Sequence, residues 1–284
     1  VVRERGRAMQ AAALANPSGM ASILGLDEPR VDDLIARLAE VGRLCREYDA
    51  LLVVDAVTSL GGVPVEVDTW GIDVCYSGTQ KCLSCPPGLA PLTLSARALD
   101  TIKRRRAPCQ SWYLDLSLVA DYWADSKRAY HHTAPISMLY GLREALRLVQ
   151  EEGLTARFAR HRLHSAALLA GLEALGLRAL PPAEHRLPML NCVRLPDGVD
   201  DKLVRSALLT KHGIEIGGRL GPLQGKVWRI GLMGESCGQE HVLTLLNALE
   251  DIFAGNGWTT NPGLAVQAAV ETYESRPPSA RRIG

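Results

Sequence analysis

Two segments of the sequence indicate the fold class: Leu51-Leu52-Val53-Val54-Asp55 and Val74-Cys75-Tyr76-Ser77-Gly78-Thr79-Gln80-Lys81. Each begins with a short apolar run without polar alternation, which is typical of a strand buried on both faces of a sheet. A helical pattern precedes the first run, and Gly61-Gly62 marks a turn between the two. This order predicts an α/β layered sheet. In such sheets ligands bind beyond the carboxyl ends of the strands, where both Asp55 and Lys81 fall.

A lysine and an acid at the ends of two neighbouring strands suit pyridoxal phosphate (PLP). The amine of Lys81 can hold the cofactor aldehyde as a Schiff base, and the carboxylate of Asp55 can hold the pyridinium proton. Each residue also has a plain structural interpretation, because lysines after strands are commonly solvated and acids at strand ends commonly cap the next element. The two residues alone therefore raise PLP only as a hypothesis.

Composition places the chain among ordinary globular proteins. It has 284 residues, of which 47% are hydrophobic and 22% charged, enough for a large domain and a smaller one. The net charge of +1 gives no electrostatic reason to expect nucleic acid or a membrane surface as a partner. No apolar stretch approaches the roughly 20 residues of a membrane-spanning helix. We expect no signal peptide, because the start shows no basic-then-apolar pattern. We expect a cytoplasmic protein.

The seven cysteines indicate reduced thiols. Their number is odd and several lie in apolar runs, which favours a reducing compartment. Cys82 and Cys85 form a C-x-x-C pair, but no second pair exists to complete a four-cysteine zinc site. We therefore expect no metal.

Hydrophobic periodicity divides the chain into three parts. We predict helices at 31–48, 136–151, 154–175, 200–212 and 239–253, and strands at 51–54, 74–76, 89–94, 189–195, 214–216 and 227–232. The predicted domains are a large cofactor-binding domain at 1–152, a small α+β domain at 153–255, and a partly disordered tail at 256–284. Residues 1–29 show no clear period.

Four ordered segments carry a resemblance to a known family. They are Val54–Gly62, Ser77–Gly88, Tyr130-His131-His132-Thr133, and Gly217–Pro222 with Gly225–Gly231. Together they resemble the class V aminotransferases of PLP fold type I, in particular the alanine–glyoxylate and serine–glyoxylate enzymes. The resemblance extends over about residues 35–253. It implies a mainly parallel sheet in the large domain, truncated at its start, and a smaller α+β carboxy-terminal domain.

The resemblance assigns roles to individual residues. It makes Lys81 the Schiff-base lysine and general acid–base catalyst, and Asp55 the partner of the pyridine nitrogen. Gln80 is similar to a residue that reaches the cofactor phosphate. Tyr130 and Thr133 resemble residues that reach the phosphate of the neighbouring subunit's cofactor, which implies a homodimer with shared active sites.

Arg229 is the candidate for binding the substrate carboxylate. A guanidinium offers a planar fork that fits a carboxylate with two hydrogen bonds. Because the amino acid and the 2-oxo acid both carry that carboxylate, one arginine can serve both half-reactions. Gly217-Gly218 and Gly221 would let a loop fold close to the site.

The beginning of the chain departs from the family pattern. Similar enzymes carry well over a hundred residues before the Asp55 strand, whereas this chain has 54. That segment supplies the first strands, a phosphate-binding turn and an aromatic ring stacked on the pyridine. We expect the chain to be either a fragment or mis-started gene product of a working enzyme, or a damaged relative with little activity.

The predicted reaction is transfer of an amino group from alanine or serine to glyoxylate. Alternatives within the fold are ureidoglycine–glyoxylate and 2-aminoethylphosphonate aminotransferases, which share the lysine and the aspartate. Cysteine desulfurases need a mobile catalytic cysteine in the small domain, and Cys237 is a poor candidate. The alternative of another class is an inactive truncated relative that only dimerises.

Overall fold

The computed structural model describes residues 28–123, 129–219, 221–258 and 261–275, with side chains from residue 37 onward in the first helix. Two lobes follow one another along the chain. The N-terminal lobe comprises α1 (Glu28–Glu47), β1 (Val53–Asp55), β2 (Val74–Tyr76), β3 (Leu92–Leu94), α2 (Ala96–Lys103), α3 (Leu116–Trp123) and α4 (Ile136–Glu152). The C-terminal lobe comprises α5 (Leu154–Ala174), β4 (Arg178–Ala179), β5 (Leu190–Arg194), α6 (Asp201–His212), β6 (Gly217–Gly218), β7 (Val227–Gly231), α7 (Gln239–Gly255) and α8 (Leu264–Glu274).

The sheet of the N-terminal lobe has the order β1-β2-β3. β1 and β2 pair in parallel, with Asp55 opposite Tyr76, so their carboxyl ends lie side by side as predicted. β3 is antiparallel to β2 and shorter than the predicted strand at 89–94. Pro86-Pro87-Gly88 and Pro91 explain the shortening, because proline lacks the N–H that a sheet ladder needs.

The sheet of the C-terminal lobe is antiparallel, with the order β4-β5-β7-β6. A row of three residues crosses it, with Cys192 on β5 and Gly217 on β6 on either side of Arg229 on β7. Trp228, one residue earlier, is fully buried against the helices on the other face. The small lobe therefore turns Trp228 into its core and Arg229 away from it.

The largest apolar core lies in the C-terminal lobe, where α5, α7 and α8 pack against the sheet. A smaller cluster at the lobe junction joins Cys82 to Leu187 and Met189. A hydrogen bond of 2.8 Å from Glu235 N–H to Ser84 Oγ adds a polar contact there. The turn that carries Lys81, the predicted Schiff-base lysine, is therefore packed against the C-terminal lobe. Among the described residues, no helix is long and apolar enough to cross a membrane.

The predicted strand at 214–216 is wrong. α6 ends at His212; its C-cap Gly213 adopts a left-handed φ of 66°, and Ile214 N–H donates to Leu208 O at 3.0 Å. This cap holds Ile214 and Ile216 against the core without strand pairing, and the strand β6 begins at Gly217 instead. Helix α6 itself begins as predicted, because Asp200 caps the N–H groups of Lys202 and Leu203.

Helix α8 lies within the predicted tail at 256–284, and the partial disorder of that tail stays a prediction. Helix α8 packs along α5 and completes the core of the C-terminal lobe, with Ala265 and Ala269 fully buried. The close approach is possible because Gly171 of α5 has no side chain: a Cβ there would lie 2.8 Å from Ala265 O. Residues 1–27 and 276–284 lie outside the described residues.

Helices α2 and α3 were not predicted from the sequence. Ser95 caps α2 by accepting Ala98 N–H at 3.0 Å.

Candidate active site

Asp55 lies at the carboxyl end of β1 with both carboxylate oxygens oriented by neighbours. Its Oδ1 accepts the backbone N–H of Val57 at 2.9 Å, and its Oδ2 accepts the hydroxyl of Tyr76 at 3.0 Å. Burial, and then the hydrogen bond to Asp55, raise the pKa of Tyr76, so this phenol stays a donor. The carboxylate is held in place yet exposed, which leaves it free to meet a cationic ring nitrogen.

Lys81 lies in the turn after β2, and this turn is fixed by its own hydrogen bonds. Ser77 Oγ donates to Ala56 O at 3.0 Å, and Thr79 Oγ1 donates to Pro86 O at 2.9 Å. The side chain of Lys81 is half-buried, and its amine has no hydrogen-bond acceptor within the described parts of the chain. An amine with a fixed backbone and no internal partner can react with an external carbonyl group.

Gln80, Tyr130 and Thr133 are placed differently. Gln80 is exposed and folds back over Gly78, where a Cβ would lie 2.6 Å from its Oε1. Tyr130 is 74% exposed and shares a 2.7 Å hydrogen bond with the Thr133 hydroxyl. The pair therefore forms a small polar unit on the surface.

His131 packs against an aromatic side chain. It is buried, stacks on the Trp112 ring at a centroid distance of 4.1 Å, and shares a hydrogen bond of 3.0 Å with Trp112 O. In the described part of the chain, no group of three or more His, Cys, Asp or Glu side chains could hold a metal ion.

Arg229 projects from β7 and is exposed. Its Nε donates to Gly218 O at 3.1 Å, which orients the guanidinium and leaves both Nη groups available. A Cβ on Gly217 would lie 3.5 Å from Arg229 Nη2, so the glycine opposite leaves the guanidinium uncovered. Lys81 and Asp55 thus belong to the N-terminal lobe, and Arg229 to the C-terminal lobe.

An ionic cluster that the sequence did not reveal joins the two lobes. We call it the Glu152 network and define it by Glu152, Arg157 and Arg160. Glu152 Oε2 lies 2.5 Å from Arg157 Nη1, and Glu152 Oε1 lies 2.5 Å from Arg160 Nε. The three side chains are only 16%, 6% and 15% exposed. One carboxylate thus holds two nearly buried guanidinium groups, an arrangement in which every partner depends on the others.

Arg157 connects this network to the lysine turn. Its Nε donates to Gly61 O at 3.1 Å, and its Nη2 donates to Cys82 O. Cys82 follows Lys81 directly in the sequence. Arg157 therefore fixes the backbone next to Lys81, the candidate nucleophile, and acts as a positioning residue.

Arg160 connects the same network to the turn after β7. Its Nη1 donates to Gly234 O at 2.9 Å and to Cys237 O at 2.6 Å. Beside it, burial lowers the pKa of His161 to about 4, so the imidazole is neutral near pH 7. Its Nδ1 can then donate to Arg157 O at 2.8 Å while its Nε2 accepts Gly234 N–H at 3.1 Å. The sequence shows these residues only as arginines spaced along one helix. That spacing does not predict which groups they bind.

Two buried cysteines, Cys82 and Cys237, lie close to the candidate site. All seven are free thiols. Burial raises the pKa of Cys82 to about 11 and that of Cys237 to about 12, so neither is a thiolate near pH 7. Cys237 is almost completely buried and lies behind Arg160, which argues against a mobile desulfurase nucleophile.

A separate cleft of about 620 Å³ lies beside the N-terminus of α6. Asp201 and Arg205, which line it, already pair with each other at 2.7 Å, and neither Lys81 nor Asp55 lines it. Arg219 also lines this cleft, whereas the candidate cofactor residues lie elsewhere.

Comparison with known proteins identifies the family. The family model for Aminotransferase class-V matches residues 33–222. The chain belongs to the class V aminotransferases. Members of this family use pyridoxal phosphate, and Asp55 with Lys81 at the ends of β1 and β2 fit that cofactor's pyridine nitrogen and aldehyde. The fold type I architecture is likewise confirmed.

Several relatives are similar over most of this chain. The (S)-ureidoglycine–glyoxylate transaminase of Bacillus subtilis (strain 168) is 45% identical over 256 residues, covering 84% of this chain and 61% of that protein. The alanine–glyoxylate aminotransferase of Drosophila melanogaster is 43% identical over 217 residues, covering 75% of this chain and 55% of that protein. The chain therefore spans between half and two thirds of the length of these relatives.

Solved structures of glyoxylate aminotransferases are also similar to this chain. The crystal structure of ureidoglycine–glyoxylate aminotransferase from B. subtilis has a TM-score of 0.80 and 49% identity, covering 84% of this chain and 61% of that one. Alanine–glyoxylate aminotransferase from Nostoc sp. has a TM-score of 0.73 and 52% identity, covering 75% and 56%.

Proposed function

We propose that this protein transfers an amino group between a small amino acid and glyoxylate with pyridoxal phosphate as cofactor. The observation that carries the proposal is the pairing of β1 and β2, which brings the oriented carboxylate of Asp55 beside the turn of Lys81. Family membership supports this arrangement as an aminotransferase site. The predicted alternative of an inactive relative that only dimerises is less favoured, because the acid, the lysine and the arginine are all present.

Each residue has a distinct task in this proposal. PLP, when bound, supplies a protonated ring that accepts electrons from the substrate α-carbon. The Asp55 carboxylate holds the proton on the pyridine nitrogen, Lys81 binds the cofactor and then moves a proton at the α-carbon, and Arg229 binds the substrate carboxylate. A carboxylate at position 55 is needed because its charge keeps the ring nitrogen protonated.

The amino acceptor in the proposal is glyoxylate, which the names of both groups of relatives contain. Alanine or serine is the proposed donor. Ureidoglycine is a second candidate, because the transaminase from B. subtilis shares 45% identity over 84% of this chain. A panel of alanine, serine and ureidoglycine with glyoxylate, scored by glycine formation, ranks the donors by kcat/KM.

The proposal includes a homodimer in which Tyr130 and Thr133 serve the partner's cofactor. Its support is a group of exposed aromatic residues around the Tyr130 segment, which a single copy leaves facing solvent. They are Trp112, Tyr113, Trp123, Tyr130 and Tyr140.

The experiment that tests the proposal is borohydride trapping of PLP followed by peptide mapping. We expect the wild-type protein to develop the absorption band of lysine-bound PLP and to carry the reduced label on Lys81. Lys81→Ala is expected to lose the label, whereas Lys103→Ala, which changes an exposed helix lysine, is expected to keep it. A label scattered over surface lysines, or no band, would contradict an active cofactor site.

A further inference from the structure

We propose that Arg219 is a second substrate-binding residue, which holds the carboxylate of glyoxylate together with Arg229. The inference rests on the proposed function, since that function gives Arg229 its role. Arg219 lies in the motif Gly217-Gly218-Arg219, where sequence reasoning considered only the freedom of the glycines.

Both guanidinium groups lie over the same face of the small sheet. Gly217 on β6 is opposite Arg229, and Arg219 comes two residues after Gly217, so alternation places it on Arg229's face. Arg219 Nη2 lies 3.8 Å from Cys192 Sγ on β5. Because β7 lies between β6 and β5, the Arg219 side chain crosses two strand spacings of about 4.8 Å each. It must therefore pass over β7 beside Arg229.

The crossing leaves Arg219 with an unmet donor. Its Nε is buried and has no hydrogen-bond partner among the residues that the structure describes. Within the same residues, neither Arg219 nor Arg229 forms an ion pair with an acid. A buried charged donor without a partner is destabilising, and two neighbouring cations add repulsion. A carboxylate placed between the two guanidinium groups would accept the unmet hydrogen bond and offset the repulsion between the two cations.

The chemistry of a two-carbon acid fits such a pair. Glyoxylate has one reacting carbon and one carboxylate, so the carboxylate is the only group by which a site can hold it. Arg229 Nε is already engaged with Gly218 O, which leaves its Nη groups for one side of that carboxylate. Arg219 would bind the other side. Because this carboxylate is the same before and after reaction, the second arginine should lower KM more than it raises kcat.

The test measures anion binding by the chain without PLP. Glycolate serves as the probe because it has the two carbons and the carboxylate of glyoxylate but no reactive carbonyl. Isothermal titration should show Arg219→Met binding glycolate about ten- to a hundred-fold more weakly, the loss of one or two charge-assisted hydrogen bonds. Arg229→Met should weaken it at least as much. Arg178→Met, the same change at an exposed position on β4, is the matched control and should bind as wild type.

Two results would overturn the proposal. Unchanged glycolate binding in Arg219→Met would overturn it. Unchanged glycolate binding with weakened oxalate binding would also overturn it, because Arg219 would then recognise a second anionic group instead. If Arg219→Met does not fold, Arg219→Gln replaces it with the same expected loss. The PLP label on Lys81 is measured separately. If the label is absent while Arg219→Met still loses glycolate binding, the proposed function is refuted and the two-arginine site remains supported.

Discussion

Replacing Glu152 by glutamine should destabilise the whole protein, although it only exchanges one carboxylate oxygen for an amide nitrogen. Glu152 is the shared anion of Arg157 and Arg160, with contacts of 2.5 Å to each. Glutamine has nearly the same shape and keeps one acceptor oxygen, but it carries no charge. Glu152→Gln would thus leave two nearly buried cations next to each other without an anion.

The expected cost follows from burial. Removing one partner of a buried ion pair destabilises a protein by about 3–5 kcal/mol, since the remaining charge stays buried. At about 2 °C per kcal/mol for a chain of this size, the melting temperature should fall by roughly 6–10 °C. A neighbouring residue supplies the control, because Glu151 pairs with Arg147 at 2.9 Å but is 66% exposed. Glu151→Gln should cost about 0–1 kcal/mol.

The assay is thermal or urea unfolding of the three proteins at several pH values. Burial opposes ionisation of Glu152, but the hydrogen bonds from Arg160 and Arg157 outweigh it and lower the pKa of Glu152 below its ordinary value. A carboxyl group with a lowered pKa in the folded state stabilises above its unfolded pKa, and that stabilisation is lost as the pH falls through the folded pKa. The difference between wild type and Glu152→Gln should therefore shrink in acid.

Two results would refute this reasoning. The first is a melting temperature for Glu152→Gln equal to that of Glu151→Gln, which would mean that water screens the network. The second is a stability difference that stays constant as the pH falls below the ordinary range of a glutamate.

Two further predictions concern the site and the core. Asp55→Asn should still bind PLP at Lys81 but lower the transamination rate about a hundred-fold or more, because the amide keeps the geometry and loses the charge; steady-state kinetics on the labelled protein test this. Gly171→Ala should destabilise by about 1–3 kcal/mol in urea unfolding, since its Cβ would lie 2.8 Å from Ala265 O. Gly255→Ala, a helix-end control with open space around it, should be neutral or slightly stabilising.

The features that sequence predicted correctly are local ones. The apolar runs at β1 and β2 mark buried strands, so the side-by-side placement of Asp55 and the Lys81 turn followed from the carboxyl-end rule. The helices predicted at 136–151, 154–175, 200–212 and 239–253 are present as α4, α5, α6 and α7. In each case the information lies within a few residues of the feature.

The features that sequence missed depend on contacts between distant segments. α8 buries alanines, which give a weak apolar stripe, and its packing depends on Gly171 almost a hundred residues earlier. The Glu152 network depends on carbonyl groups at Gly61 and Cys82, far from the helix that supplies the arginines. Nothing in the local sequence distinguishes these buried arginines from solvated ones on a helix surface.

The Glu152 network also bears on how the two halves of the site are held relative to each other. Arg157 binds the backbone beside Lys81, and Arg160 binds Gly234 O, just beyond the strand that carries Arg229. The two arginines lie one turn apart on α5 and share one carboxylate, so neither can move without disturbing the other. Because the proposed reaction needs the substrate carboxylate and its α-carbon at a fixed separation, a rigid link between the lysine turn and β7 serves the chemistry directly. In the proposed reaction, the start of α5 therefore sets the distance between Lys81, which reacts, and Arg229, which binds the substrate carboxylate.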